Sequence, residues 1–355
     1  MTAMSKRRRP VVAVLASAAT FLAVEACSET GPDAEARQNG CIGASCFDSS
    51  VTPAVDGGAP PTDSAPPTDA PVTFGDPLAG TTRIATLVKG GYNFVEGPVW
   101  VGGKLLFSDT SGNTIHQMAS GGAITPFRTN SNGANGNAVD KQGRLYTCES
   151  TTGKVVRTDA TLANPASIAN TFNAKAFNAP NDVIVRDDGT VFFTDPFYGN
   201  VPDGGLPQDK MAVYRVPAGG APARLAFDFN KPNGIALSPD GNTLYVVDNG
   251  AGRVLFGDLN PNGTVKAAFA KIVDAPGGDG MAVDRAGNLY VAATAGVLVF
   301  DKTGTALGTV TVAGTPSNVE FGDTDRKTLY VTANSGGGNP ATGLYSIKLN
   351  VPGLL

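Results

Sequence analysis

Asn233-Gly234-Ile235-Ala236-Leu237-Ser238-Pro239-Asp240-Gly241-Asn242-Thr243-Leu244-Tyr245-Val246 is the stretch on which the fold turns. Two apolar runs flank Pro-Asp-Gly, and a glycine between β-branched and aromatic runs supplies the positive φ of a hairpin turn. Five other segments carry the same opening: Glu96-Gly97-Pro98-Val99-Trp100, Asn135-Gly136-Asn137-Ala138-Val139, Asn181-Asp182-Val183-Ile184-Val185, Asp279-Gly280-Met281-Ala282-Val283 and Asn318-Val319-Glu320-Phe321. Successive openings lie 39, 46, 52, 46 and 39 residues apart, close to the roughly 40 to 50 residues of a four-stranded propeller blade. A turn and a second apolar run follow each one, as in Gly143-Arg144-Leu145-Tyr146, Gly287-Asn288-Leu289-Tyr290-Val291 and Lys327-Thr328-Leu329-Tyr330-Val331. Six such units predict an all-β fold, a six-bladed β-propeller whose blades are each too small to bury their own faces. Arg83-Ile84-Ala85-Thr86-Leu87-Val88 is left over from the count. It is predicted to complete the last blade beside Leu344-Tyr345-Ser346-Ile347-Lys348-Leu349 and so tie the ring together.

Composition agrees. The chain has 355 residues, of which 45 are Gly and 25 Pro, and only 16% are charged. Long surface helices need more Lys, Glu and Arg on their exposed face. The formal net charge is −4, which argues against nucleic acid as a partner, because phosphate binding rests on Lys and Arg. His116 is the single histidine. A His-rich metal site is therefore excluded, and a Ser/His/Asp triad could be built only around that residue. His116 falls late in the first unit, away from the openings, and is expected to be a half-exposed strand residue.

The N-terminus has the layout of a secretory signal peptide: Lys6-Arg7-Arg8-Arg9, an apolar run from Val11 to Val24, then Glu25-Ala26-Cys27. The run is about 14 residues against roughly 20 for a membrane span. A small residue before Cys27 matches a lipoprotein cleavage site, although Glu25 departs from the usual small residue there. Residues 1–26 are thus expected to be a leader and the protein exported, as a membrane-anchored lipoprotein on the outer-membrane or periplasmic face or in secreted form. Membrane contact would then run only through the N-terminal lipid. Removing the leader leaves 23 basic against 30 acidic residues. Residues 27–80 are rich in Pro, Thr, Asp and Ala and are expected to form a disordered linker, which leaves 81–355 for the propeller. Cys41 and Cys46 lie in the linker, where a small disulfide and two free thiols are equally compatible with the sequence; Cys148 reads as a buried core residue. Gly336-Gly337-Gly338 lacks the Lys and Ser/Thr of a phosphate loop and reads as a hairpin.

If the six openings are equivalent, their first residues converge where the blades meet the axis. Asn or Asp before Gly is an ordinary turn pair in any one copy, but side-chain oxygen in all six is harder to assign to turns. Glu96, Asn181, Asn233 and Asp279 offer hard oxygen donors and two negative charges, which suits a calcium-like divalent cation better than a site needing nitrogen or sulfur.

Several of these motifs together resemble the gluconolactonase and regucalcin (senescence marker protein) family. They are Val95-Glu96-Gly97-Pro98-Val99-Trp100, Asn178-Ala179-Pro180-Asn181-Asp182-Val183 leading to Phe193-Thr194-Asp195-Pro196-Phe197-Tyr198-Gly199, Lys231-Pro232-Asn233-Gly234, and Gly278-Asp279-Gly280-Met281. The resemblance runs from about Arg83 to Leu349. It implies a six-bladed propeller with one divalent metal in the channel, calcium first and zinc, magnesium or manganese as alternatives, and a small-molecule sugar lactone as substrate. Position by position, Glu96, Asn181, Asn233 and Asp279 match the metal-site residues, with Asp279 as general base. Asn135, Glu149, Asp195 and Tyr198 match positions at or near the substrate pocket. Ser150 departs from the histidine that gluconolactonases often carry after Cys-Glu.

The chemistry implied is attack by water on a metal-polarised carbonyl, with Asp279 accepting the proton. Two other readings use the same residues: a phosphotriesterase-like hydrolase and a non-catalytic binding propeller.

Overall fold

Alternating apolar runs and tight turns fold each repeat into an antiparallel sheet whose four strands pair in chain order. The computed structural model describes residues 72–354 apart from Phe227, so the leader, Cys27, the Cys41/Cys46 pair and most of the linker lie outside the described residues. Five sheets span residues 95–129, 134–169, 183–226, 232–274 and 281–310. The sixth spans 315–348 and takes its outermost strand, Thr86–Gly90, from the other end of the domain. The first strand of each sheet lies against the first strand of the next, and the sixth returns to the first. The result is the six-bladed β-propeller that the repeats predict. Among the described residues there is no α-helix, only a 3-10 turn at Asn249–Ala251.

The second strands Leu145–Glu149, Val191–Asp195 and Leu289–Ala293 are buried along their whole length. A sheet stacked between two others has no water-facing side near the axis, so these strands read as unbroken apolar runs and not as alternating ones. Blades meet through pairs such as Tyr290 and Phe321, edge-on at 5.0 Å across the fifth and sixth sheets. At the hairpins, Asp284 Oδ1 accepts the N–H groups of Ala286 and Asn288, and Gly287 takes the left-handed conformation (φ 86°) that the turn requires. Asp284 Oδ2 accepts the Tyr290 hydroxyl at 2.9 Å. The pairs Tyr146–Asp140 and Tyr330–Asp323 repeat this contact and mark equivalent levels in three blades.

Ring closure is as expected: Thr86 faces Ser346 and Gly90 faces Gly343, with a bulge between Leu87 and Lys89. Insertions account for the uneven spacing of the repeats. The short hairpin Thr171–Phe172/Lys175–Ala176 precedes blade 3, and residues 196–211 form a long loop within it.

The linker, expected to reach residue 80, gives way to structure earlier. Leu78 is fully buried in the same cluster as Ala85, Tyr290 and Phe321. Asn350 Nδ2 donates to the carbonyls of Asp76 and Ala79. Leu78 in the core and the two Asn350 bonds together tie this short segment to the last blade despite its polar neighbours.

Candidate active site

Register defines the channel ring. Asn137 faces Thr147, Met281 faces Val291 and Val319 faces Val331, each partner being the residue after the Tyr146, Tyr290 and Tyr330 markers. Counting back two residues places Asn135, Asp279 and Ser317 at one level, together with Glu96, Asn181 and Asn233. The sixth member of the ring is therefore Ser317 and not Asn318, one residue from the predicted alignment. Ser317 Oγ donates to the Val95 carbonyl at 2.6 Å and stitches the sixth blade to the first.

The following position is glycine in four blades because the blades are closest there. A Cβ on Gly234 would stand 2.4 Å from the Asp279 carbonyl oxygen, and one on Gly97 2.1 Å from that of Asn135. Gly136 N–H donates to Asn181 O, Gly234 N–H to Asp279 O and Gly280 N–H to Ser317 O. These glycines permit close packing between blades and are not turn residues. In blade 3 this position is Asp182 and in blade 6 Asn318. Their side chains fill the space beside Gly136 and Gly280 of the preceding blade.

Three carboxylates crowd the axis: Glu96 (4% exposed), Asp182 (5%) and the partly exposed Asp279. Burial holds Glu96 well above the usual carboxylate range, and the charges of Asp279 and Asp182 add to this. Burial, then Asp182, push Asp279 up to about 7, with the Asn233 amide pulling the other way. Burial likewise raises Asp182 to about 7, against hydrogen bonds from the Val183 and Ile235 N–H groups and the Asn318 amide. No lysine or arginine is among the main influences on any of the three. Asp279 Oδ1 is buried without a hydrogen-bond partner.

An orphaned carboxylate oxygen, repelling acids and nearby amide oxygens are what a hard divalent cation would satisfy. Among the described residues no cluster of three His, Cys, Asp or Glu side chains is spaced to hold a metal. The set that fits is mixed: Glu96 and Asp279 completed by the amides of Asn181 and Asn233. Asp182 escaped the sequence analysis. The signal for it was an acid where four other repeats carry glycine.

Of the residues predicted near the pocket, Asn135 lies in the ring and Tyr198 reaches it, with Asn233 Nδ2 donating to the Tyr198 hydroxyl at 2.7 Å. Glu149 and Asp195 stand at the mouth end of their strands, beside the ring: Glu149 faces Ala134, the residue before Asn135, and the carbonyl of Thr194, the residue before Asp195, accepts Asn181 N–H. Both end a second strand and are buried, at 5% and 0% exposure. Asp195 accepts the Asn178 and Ala179 N–H groups at 2.9 and 2.8 Å. Glu149 accepts from the Asn132 amide and Thr152 hydroxyl and faces Arg128 at 3.4 Å. Asp109 and Asp248 play the same part, accepting Phe94 N–H and Asn230 N–H. This repeated acid caps the loop that leads into the neighbouring inner strand. Ser150 Oγ donates to Pro180 O at 2.7 Å, next to ring residue Asn181. His116 packs against Tyr92 and Phe107, 5.0 and 5.4 Å between centroids, far along blade 1. Burial lowers its pKa.

Below the ring, a cavity of about 630 Å³ fills the other half of the channel. Apolar residues such as Trp100, Ile184, Leu237 and Val283 line it, and Asp182, Asn137 and Asn318 contribute from the ring side. None of Glu96, Asn181, Asn233 or Asp279 lines it, so the oxygen donors belong to the opposite mouth.

A propeller encloses a central channel, and this one carries a ring of carboxylates and amides at one mouth of it. Residues 94–335 match the SMP-30/Gluconolactonase/LRE-like region, and the chain belongs to that family. A gluconolactonase of Zymomonas mobilis is 30% identical over 274 residues, covering 67% of this chain and 76% of that one. A solved gluconolactonase structure from Xanthomonas campestris superposes with a TM-score of 0.65 at 32% identity, covering 75% of this chain and 89% of its own. A regucalcin from Agrobacterium tumefaciens, described as calcium-binding, superposes with a TM-score of 0.64 at 20% identity over 76% of this chain and 95% of its own. At that identity it speaks to the fold alone.

Proposed function

We propose that this propeller hydrolyses a sugar lactone at the mouth that carries Glu96, Asn181, Asn233 and Asp279, as its gluconolactonase relatives are named for doing. The observation that carries the reading is the buried, unpartnered Oδ1 of Asp279 within a ring of oxygen donors. Those four residues would hold one divalent cation, calcium ahead of zinc, magnesium or manganese, given donors that are all oxygen. A cation there would supply positive charge beside the lactone carbonyl as negative charge grows on its oxygen.

Asp279 supplies the base. One carboxylate oxygen faces the ring, and the other takes the proton of the attacking water when it is free. Water adds to the carbonyl carbon, the ring C–O bond breaks, and the departing alkoxide takes the proton back, giving the hydroxy acid. Tyr198, 42% exposed at the mouth, forms a wall against which the substrate rests, and Asn135 stands in the ring. Asp182 and Asn318 hold the floor beneath.

The test is a panel of sugar, pentose and acyl lactones with a phosphotriester beside them, assayed with and without a chelator. Lactone turnover lost on chelation and restored by calcium supports the reading. Turnover indifferent to chelation, or confined to the phosphotriester, overturns it.

A further inference from the structure

We infer that Tyr198 is a positioning residue for the cation site, fixing the amide of Asn233 so that its oxygen is the end left for the metal. This rests on the proposed role of Asn233 as a ligand. An asparagine amide offers oxygen at one end and N–H at the other, and only the oxygen can bind a cation. Rotating the amide by half a turn would set an N–H group against the positive charge. Asn233 Nδ2 donates to the Tyr198 hydroxyl at 2.7 Å, while Oδ1 accepts nothing from the described residues. The amide nitrogen thus has the Tyr198 hydroxyl as its hydrogen-bond acceptor, and the same N–H end also eases the charge of Asp279 in the metal-free protein, which leaves the oxygen as the end without a partner. Partners of this kind, one bond removed from the metal, orient the ligand and commonly change affinity by about 10- to 100-fold when removed.

The phenol is itself held in place. It comes from the loop at 196–211, which belongs to blade 3, yet it reaches the ring residue of blade 4. Lys231 Nζ lies 5.5 Å from the centre of the Tyr198 ring, in cation–π contact. Lys231 takes a left-handed backbone conformation (φ 64°), uncommon for a residue with a long side chain, just before the blade 4 inner strand. Asn233 follows two residues later. The bend at Lys231, the ring of Tyr198 and the amide of Asn233 form one clamp joining two blades over the site.

Tyr198→Phe tests this, since it keeps the ring and its contact with Lys231 and removes only the acceptor. Calcium binding to the full chain is measured by titration calorimetry beside Glu96→Gln, with the unfolding temperature of each metal-free protein as a control. The expected result is a calcium Kd about 10- to 100-fold weaker in Tyr198→Phe, with an unchanged metal-free unfolding temperature. Lys231→Met, which loosens the ring but keeps the acceptor, should fall between wild type and Tyr198→Phe. If Tyr198→Phe binds calcium like wild type while Glu96→Gln does not bind, the positioning role is wrong and the ring stands. If Glu96→Gln binds calcium like wild type, the ring itself is wrong and this inference goes with it.

Discussion

Asp279→Asn should lower activity and raise the stability of the metal-free protein at once. The wild-type carboxyl is pushed by burial and by Asp182 from its ordinary 3.8 up to about 7. A group whose pKa is raised on folding binds its proton more tightly in the folded state, so the metal-free protein loses stability as pH climbs from about 4 to 7. At pH 8 the full shift corresponds to on the order of 4 kcal/mol, at 1.36 kcal/mol per unit. Asn cannot ionise and escapes this, so metal-free Asp279→Asn should unfold several degrees above wild type at pH 8. The gap should narrow toward pH 4 and close below it, as the wild-type carboxyl becomes protonated in the unfolded state as well as in the folded one. A bound cation acts in the opposite sense: calcium at a hundred times its Kd would stabilise wild type by about 2.7 kcal/mol, and the variant by much less. Lactone turnover should fall at least about a hundredfold, the low end for a lost general base. Scanning calorimetry of chelated and calcium-loaded protein from pH 4 to 8, with a hydrolysis assay, reads all of this. If metal-free Asp279→Asn is less stable than wild type at pH 8 and gains as much from calcium, the account of a strained acid awaiting a cation is wrong.

Four further outcomes can be checked. Gly234→Ala puts a methyl 2.4 Å from the Asp279 carbonyl oxygen and 2.8 Å from Gly280 Cα, so blades 4 and 5 must part. It should lower the unfolding temperature by several degrees and weaken calcium binding together, and a variant with both intact would show the ring to be loosely packed. His116→Ala should keep turnover within about twofold, with no limb in the pH–rate profile belonging to an imidazole, because no step uses one; a large loss in a folded variant would revive a histidine mechanism. Cys27→Ala should move the protein from the membrane fraction to the soluble one without loss of activity, and a chain beginning at Val72 should fold by itself where one beginning after Leu78 is destabilised. An unchanged membrane fraction would remove the lipid anchor.

What the sequence made legible was whatever repeats. Blade number follows from six apolar pairs around turns, and ring closure from one unpaired strand, since both are consequences of covering sheet faces and edges. Departures come where a residue's role depends on a neighbouring blade. Asn318-Val319-Glu320-Phe321 imitates the opening motif, yet the facing strand sets its register, and Val319 opposite Val331 moves Ser317 into the ring. Glu149 and Asp195 do lie beside the ring residues, as the motif order implies, but the bonds that their side chains accept come from the loops they cap, a role the motif does not display. Leu78 was hidden among prolines and threonines because one apolar residue makes no periodic pattern.

Asp182 is the most instructive of these. It stands directly after Asn181 in the third opening, where four other blades carry glycine. Glycine is required because the following blade presses on that spot: Gly97 and Gly234 face backbone oxygens, whereas Gly136 faces Asp182 itself. A side chain at this level in one blade therefore demands glycine in the blade before it. Asp182 after Gly136 and Asn318 after Gly280 are two instances of that rule, and both side chains turn back to accept the next N–H, from Val183 and Val319. They meet beneath Glu96, where the Asn318 amide eases the burial of both acids. The floor of the site is thus built by the only two repeats that break the glycine pattern without contributing an acid to the ring, which separates the groups that would hold a cation from those that hold the holders.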